Sequence, residues 1–137
     1  MKKNTTLLAA AGALVLGSTL SAAVASQVWA EGSATSSPGH AIYGEKCAAC
    51  HGVEPSGGEH APPLAGADFW SKWEGQPARA LYSRIISTMP MEAPGTLSET
   101  ETIALVDYFV RLNTGTEALA SVKAANELNA ITMPAGK

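Results

Sequence analysis

The chain holds two cysteines, and both lie in one string, Cys47-Ala48-Ala49-Cys50-His51. Two thiols two residues apart with a histidine directly after form a signature for covalent attachment of a c-type haem. On a short helical turn the sulfurs stand about as far apart as the two haem vinyl groups. Each thiol adds to one vinyl. His51 then lies beneath the ring, where its imidazole supplies the fifth bond to iron.

The same residues permit other chemistry, and the spacing argues against it. A Cys47–Cys50 disulfide would close a very short loop and remove little chain entropy. Thiol–disulfide exchange usually comes on a strand–helix–strand frame, and no run here alternates convincingly enough for a strand. As a zinc site the cluster offers only Cys47, Cys50 and His51, with the imidazole abutting one sulfur, which suits tetrahedral closure poorly.

A haem iron held by His51 has a second axial position. His/Met ligation raises the potential and suits electron transfer. The downstream thioethers are Met89, Met91 and Met133. Met89 is the expected ligand, because it continues an apolar helical face and Pro90 stops that helix beside it. A core methionine is the bland reading of the same position. Met91 faces elsewhere by spacing, and Met133 falls in a tail expected to fray. His40 and His60 are read as surface imidazoles. The Pro62 carbonyl is a candidate acceptor for the second ring N–H of His51, which fixes tautomer and orientation. Trp73 is a candidate donor to a haem propionate, with ordinary core packing as the alternative.

The elements that position these residues read as short helices. Gly39 to Ala49, with Ile42 and Tyr43, predicts a helix running into the Cys pair. Gly52 to Gly58 is loop, and Ala61-Pro62-Pro63-Leu64-Ala65-Gly66 is extended or turning. Asp68 is expected to cap a helical piece over Phe69 to Glu74, ended by Gly75. Pro77 suits the first turn of the next helix, whose apolar face is Ala78, Leu81, Tyr82, Ile85 and Ile86. Ser98 and Glu101 form a capping box that opens the clearest helix, with Ile103, Val106, Phe109 and Val110 in one stripe. Residues 116–130 predict one weak helix around Leu119, Val122 and Leu128.

Length and charge set the bounds. The 137 residues hold one domain. Lys2, Lys3, an apolar run from Leu7 to Leu20 and small residues up to Ala30 read as a secretory signal peptide, residues 1–30. Cleavage after Ala25 is the alternative cut. A retained anchor is the alternative fate, with the run short for a membrane core of ~30 Å. Residues 31–37 read as a flexible linker, 38–115 as the domain and 116–137 as a C-terminal extension. Export implies the periplasm and no stable membrane insertion after cleavage. Without Lys2 and Lys3 there are seven cations against 12 acids, near −5, which argues against a nucleic-acid partner.

On these residues the chain resembles a monohaem class I cytochrome c. Gly39-x-x-x-Tyr43-x-x-x-Cys47-Ala-Ala-Cys50-His51-Gly52 matches that family's first helix and haem site. Ala61-Pro62-Pro63-Leu64-Ala65-Gly66 is similar to its Gly-Pro-x-Leu-x-Gly loop, with Ala61 in place of the first glycine. The resemblance implies an all-α fold of three to five short helices around one covalent haem c. It implies that Pro62 bonds the proximal His, and that an aromatic on the last helix packs on Gly39 and Tyr43. Phe69-x-x-x-Trp73-x-Gly75, Thr88-Met89-Pro90 and Ala93-Pro94-Gly95-x-Leu97-Ser98 further resemble cytochromes associated with quinoprotein alcohol dehydrogenases. In those the Met of Met-Pro is the axial ligand.

The expected function is single-electron transfer rather than enzymatic catalysis, between redox protein partners. A quinoprotein dehydrogenase as donor, and a terminal oxidase or other cytochrome as acceptor, fit the narrower resemblance. A haem enzyme or sensor with a displaceable sixth ligand is the alternative.

Overall fold

The computed structural model describes residues 34–137. The expected signal peptide and the first linker residues lie outside that range.

The longest helix shows how local sequence sets its own limits. Ser98 Oγ accepts the Glu101 N–H at 3.2 Å and Glu101 Oε2 accepts the Ser98 N–H at 2.9 Å, the capping box expected there. Gly115 ends the helix with φ 76°, a left-handed conformation that costs glycine little. Five helices make up the described fold: α1 (Pro38–Lys46), α2 (Ala48–His51), α3 (Ala67–Trp70), α4 (Ala78–Thr88) and α5 (Glu99–Thr114). Among the described residues there is no β-strand, only an isolated bridge between Pro77 and Thr132. No described helix is long and apolar enough to cross a membrane.

The core is the buried face of α5 with α1 and α4 laid on it. Leu105, Val106 and Val110 are wholly buried among Tyr43, Leu81, Tyr82, Ile85, Tyr108 and Phe109. The α1–α5 crossing depends on Gly39, where a Cβ would sit 2.0 Å from the Ala104 carbonyl oxygen. Next to it the Tyr43 ring meets Tyr108 at 5.6 Å and Phe109 at 6.1 Å between centroids.

The structure corrects several boundaries. The predicted helix into the Cys pair breaks at Cys47, whose backbone (φ −126°) separates α1 from α2. Residues 34–36, expected within a flexible linker, form a 3-10 turn, and Ser37 caps α1 by accepting the His40 N–H at 3.3 Å. Gly66, not Asp68, occupies the N-cap of α3; Asp68 sits in its first turn. Pro77 lies one place earlier than expected, at the N-cap of α4.

The largest correction is the tail. It forms no α-helix, only a 3-10 turn at Glu127–Ala130, and its end is docked rather than frayed. Leu119, Val122, Leu128 and Met133 are buried. The Ile131 carbonyl accepts the Ala78 N–H at 2.8 Å, satisfying a donor at the start of α4 that no side chain caps. Met133 exchanges backbone bonds with Gly75 and Gln76, and Trp70 Nε1–H donates to the Pro134 carbonyl at 3.0 Å.

Candidate haem site

Cys47 serves at once as the C-cap of α1 and the N-cap of α2. Its carbonyl accepts the N–H groups of Cys50 and His51 at 3.2 and 3.0 Å. This single turn gathers both sulfurs and the imidazole onto one rigid unit. Both thiols are free and half-buried. Burial pushes the Cys47 thiol up to about 11, so it is protonated at neutral pH.

His51 is buried, and its Nδ1 lies 2.8 Å from the Pro62 carbonyl oxygen. A carbonyl only accepts, so Nδ1 carries a proton, and in the neutral ring the lone pair is then on Nε2. That is the tautomer a metal-binding imidazole needs.

The loop between them is braced from three sides. Tyr43 Oη–H donates to the Gly52 carbonyl at 2.6 Å, and burial, foremost, pushes that phenol up to about 12. The Gly57 N–H returns to the His51 carbonyl at 3.1 Å. Asn113, buried at the end of α5, accepts the Gly66 N–H at 2.9 Å through Oδ1. Its Nδ2 donates to the Leu64 carbonyl at 3.2 Å and the Phe109 carbonyl at 2.9 Å. Asn113 is thus the clasp between the Pro62 loop and the core. The available sequence signal for this role is slight, an amide two residues before a glycine that can end a helix.

Met89 is the C-cap of α4, half-buried and extended (φ −122°, ψ 148°), packed at the edge of the core. Met91 is 74 % exposed and Met133 is buried in the tail's packing. The segment leaving Met89 returns to the motif at Glu92, whose Oε1 lies 3.8 Å from Cys50 Sγ. His40 leans on Tyr108 (centroids 5.5 Å apart), and His60 is exposed.

Trp73 is half-buried beside Phe69. Its indole N–H is buried with no acceptor among the described residues. A buried donor without a partner is costly and marks a place where an acceptor belongs.

These observations fit a haem. Two free thiols, an imidazole with its lone pair kept available, and an indole donor awaiting an oxygen are the groups that attachment, ligation and a propionate require. No group of three or more His, Cys, Asp or Glu suited to a bare metal ion occurs among the described residues.

The family model described as cytochrome c oxidase, cbb3-type, subunit III matches residues 34–109, over half the chain. The chain belongs to this cytochrome c family. Its small all-α fold fits that membership, which implies haem c and an electron-transfer role. The single Cys-x-x-Cys-His string is consistent with a monohaem cytochrome c. Among solved structures the cytochrome is similar to a chain of the sulfane dehydrogenase SoxCD from Paracoccus pantotrophus. The identity is 22 % and the TM-score 0.49, covering 70 % of this chain and 51 % of that one. The cytochrome therefore spans about half the length of that chain. No curated protein matches it.

Proposed function

We propose that this cytochrome is an exported single-electron carrier whose haem is bonded through Cys47 and Cys50 and ligated by His51 and Met89. The observation that carries the reading is the His51–Pro62 hydrogen bond at 2.8 Å, which leaves Nε2 free for iron. Bound haem would supply one-electron ferric/ferrous chemistry. The chain's residues do the rest. Pro62 holds the imidazole and makes it a better donor to iron. Asn113 keeps Pro62 in place. Met89, at a helix end with Pro90 after it, offers a thioether, a ligand type that raises the potential. Trp73 holds an N–H ready for a propionate oxygen.

The partners proposed are a periplasmic dehydrogenase, of the quinoprotein kind, as donor and a terminal oxidase or other cytochrome as acceptor. The wording of the Phe69–Ser98 loops supports the donor. Periplasmic location rests on the signal-like order of residues 1–30. Thiol redox chemistry is a poorer reading, because burial makes Cys47 a weak thiolate former.

A reduced-minus-oxidised spectrum of periplasmically expressed protein tests haem and ligand together. The expected result is a c-type spectrum with a weak Met–iron charge-transfer band, lost in Met89→Ala and kept in Met91→Ala. The reverse pattern would transfer the ligand to Met91. A ferrous spectrum altered by carbon monoxide would favour the displaceable-ligand enzyme or sensor.

A further inference from the structure

We infer that residues 131–137 are a strap that positions the Trp73 indole N–H for a haem propionate. This rests on the electron-carrier reading, in which Trp73 meets that propionate. The strap lies outside residues 34–109, the stretch that the family model matches.

Trp73 sits in a turn beyond the end of α3, so no helix holds it. Its backbone is fixed by a neighbour on each side. Its N–H donates to the Trp70 carbonyl at 2.8 Å, and its carbonyl accepts the Gln76 N–H at 2.9 Å. Both neighbours are tied to the strap. Trp70, buried, donates its indole N–H to the Pro134 carbonyl at 3.0 Å. The Gln76 carbonyl accepts the Met133 N–H at 2.8 Å, and the Gly75 N–H donates to the Met133 carbonyl at 3.1 Å. Gly136 lies so close on the Trp70 ring that a Cβ there would sit 2.7 Å from Cδ1.

The strap is itself fastened at both ends and in the middle. The Ile131 carbonyl accepts the Ala78 N–H at 2.8 Å, at the start of the helix that ends at Met89. The Lys137 N–H donates to the carbonyl of Asn113, the clasp of the Pro62 loop, at 3.0 Å. The Met133 side chain is buried between them. Plain tail packing needs only that burial. It does not need bonds to both neighbours of a buried indole donor that has no acceptor of its own. A donor fixed in place before its acceptor arrives loses little freedom on bonding. Bonded to a propionate, it offsets negative charge beside the iron and favours the ferrous state.

The test uses the haem-loaded, 15N-labelled full chain and two strap variants. Trp70→Phe removes the bond to Pro134, and Gly136→Val drives the strap off the ring from its exposed side. Val122→Ala, which trims buried tail packing before the strap, is the control. In both strap variants the Trp73 indole N–H resonance of the reduced protein should move toward that of a free indole. The ferric-to-ferrous ratio at a fixed electrode potential should rise about three- to tenfold, the worth of one hydrogen bond. Val122→Ala should lower stability and leave both signals in place. If Trp70→Phe does not fold, Gly136→Val decides alone. Unmoved signals in the folded strap variants, or equal movement in Val122→Ala, would overturn the strap and leave the carrier reading standing. A parent chain with no redox-active haem in its spectrum would overturn both.

Discussion

The two flanks of the site are built differently. The His51 flank is cross-tied: Pro62 holds the imidazole, Tyr43 holds Gly52, and Asn113 holds Leu64 and Gly66. The Met89 flank leaves one helix end and returns through local bonds, Ala93 N–H to the Pro90 carbonyl at 3.0 Å and Thr96 Oγ1–H to the Ala93 carbonyl at 2.8 Å. Its recorded polar contact with the motif is the 3.8 Å approach of Glu92 to Cys50. One flank is held by the core; the other is hung from it. A ligand on the first flank arrives pre-oriented, while one on the second depends on how the helix ends.

Variants sharpen or break that contrast. Asn113→Ala removes three hydrogen bonds and leaves the Gly66 N–H and Leu64 carbonyl to find new partners. Its expected cost is about 3 kcal/mol in denaturant unfolding, with a loosened His51. A cost under about 1 kcal/mol would mean that the loop holds itself and the clasp is incidental.

Tyr43→Phe comes next, at about 1–2 kcal/mol. It also changes the alkaline limb. The Tyr43 phenol sits at about 12 in the fold against an ordinary 10.0. Its contribution is complete below pH 10 and is lost as pH rises through about 12, where the unfolded chain ionises more readily. The variant should have a flatter stability profile between pH 10 and 12; an unchanged slope would assign that titration elsewhere.

Glu101→Gln acts on the frame shared by both flanks. The Lys46 ammonium, with the Ser98 backbone and hydroxyl, holds the Glu101 carboxyl down to about 2 from 4.5. That contribution is present above pH 4.5 and is lost as pH falls toward 2. Acid titration followed by helical ellipticity should therefore show less acid sensitivity in the variant, which is the less stable of the two at neutral pH and converges with the parent as pH falls toward 2. Glu92→Gln, on the hung flank, should alter stability by less than about 0.5 kcal/mol. A loss as large as that of Asn113→Ala would erase the distinction between the flanks.

How far the sequence could be read follows from how local each feature is. The capping box, the Pro90 stop after Met89 and the Cys47–His51 turn involve residues within about four positions of one another, so spacing alone exposes them. The Gly39–Tyr43 packing against the last helix came through resemblance rather than pattern. Asn113 escaped because its partners Leu64 and Gly66 lie 49 and 47 residues away. The tail escaped for the same reason. Leu119, Val122, Leu128 and Met133 follow no clean period, since they are buried by docking onto other elements rather than by one helical face.

The sequence alone determined the chemistry available: two thiols and an imidazole in a string that suits one cofactor, on an all-α chain with an acidic balance. These are covalent and short-range facts. Tertiary structure decided the tautomer of His51, through a carbonyl 11 residues away, and the clasp that holds that carbonyl. It also decided the docking of the tail that completes the start of α4. Each of these needs two distant stretches to meet, and their meeting is set by the packing of α1, α4 and α5 and not by any local preference.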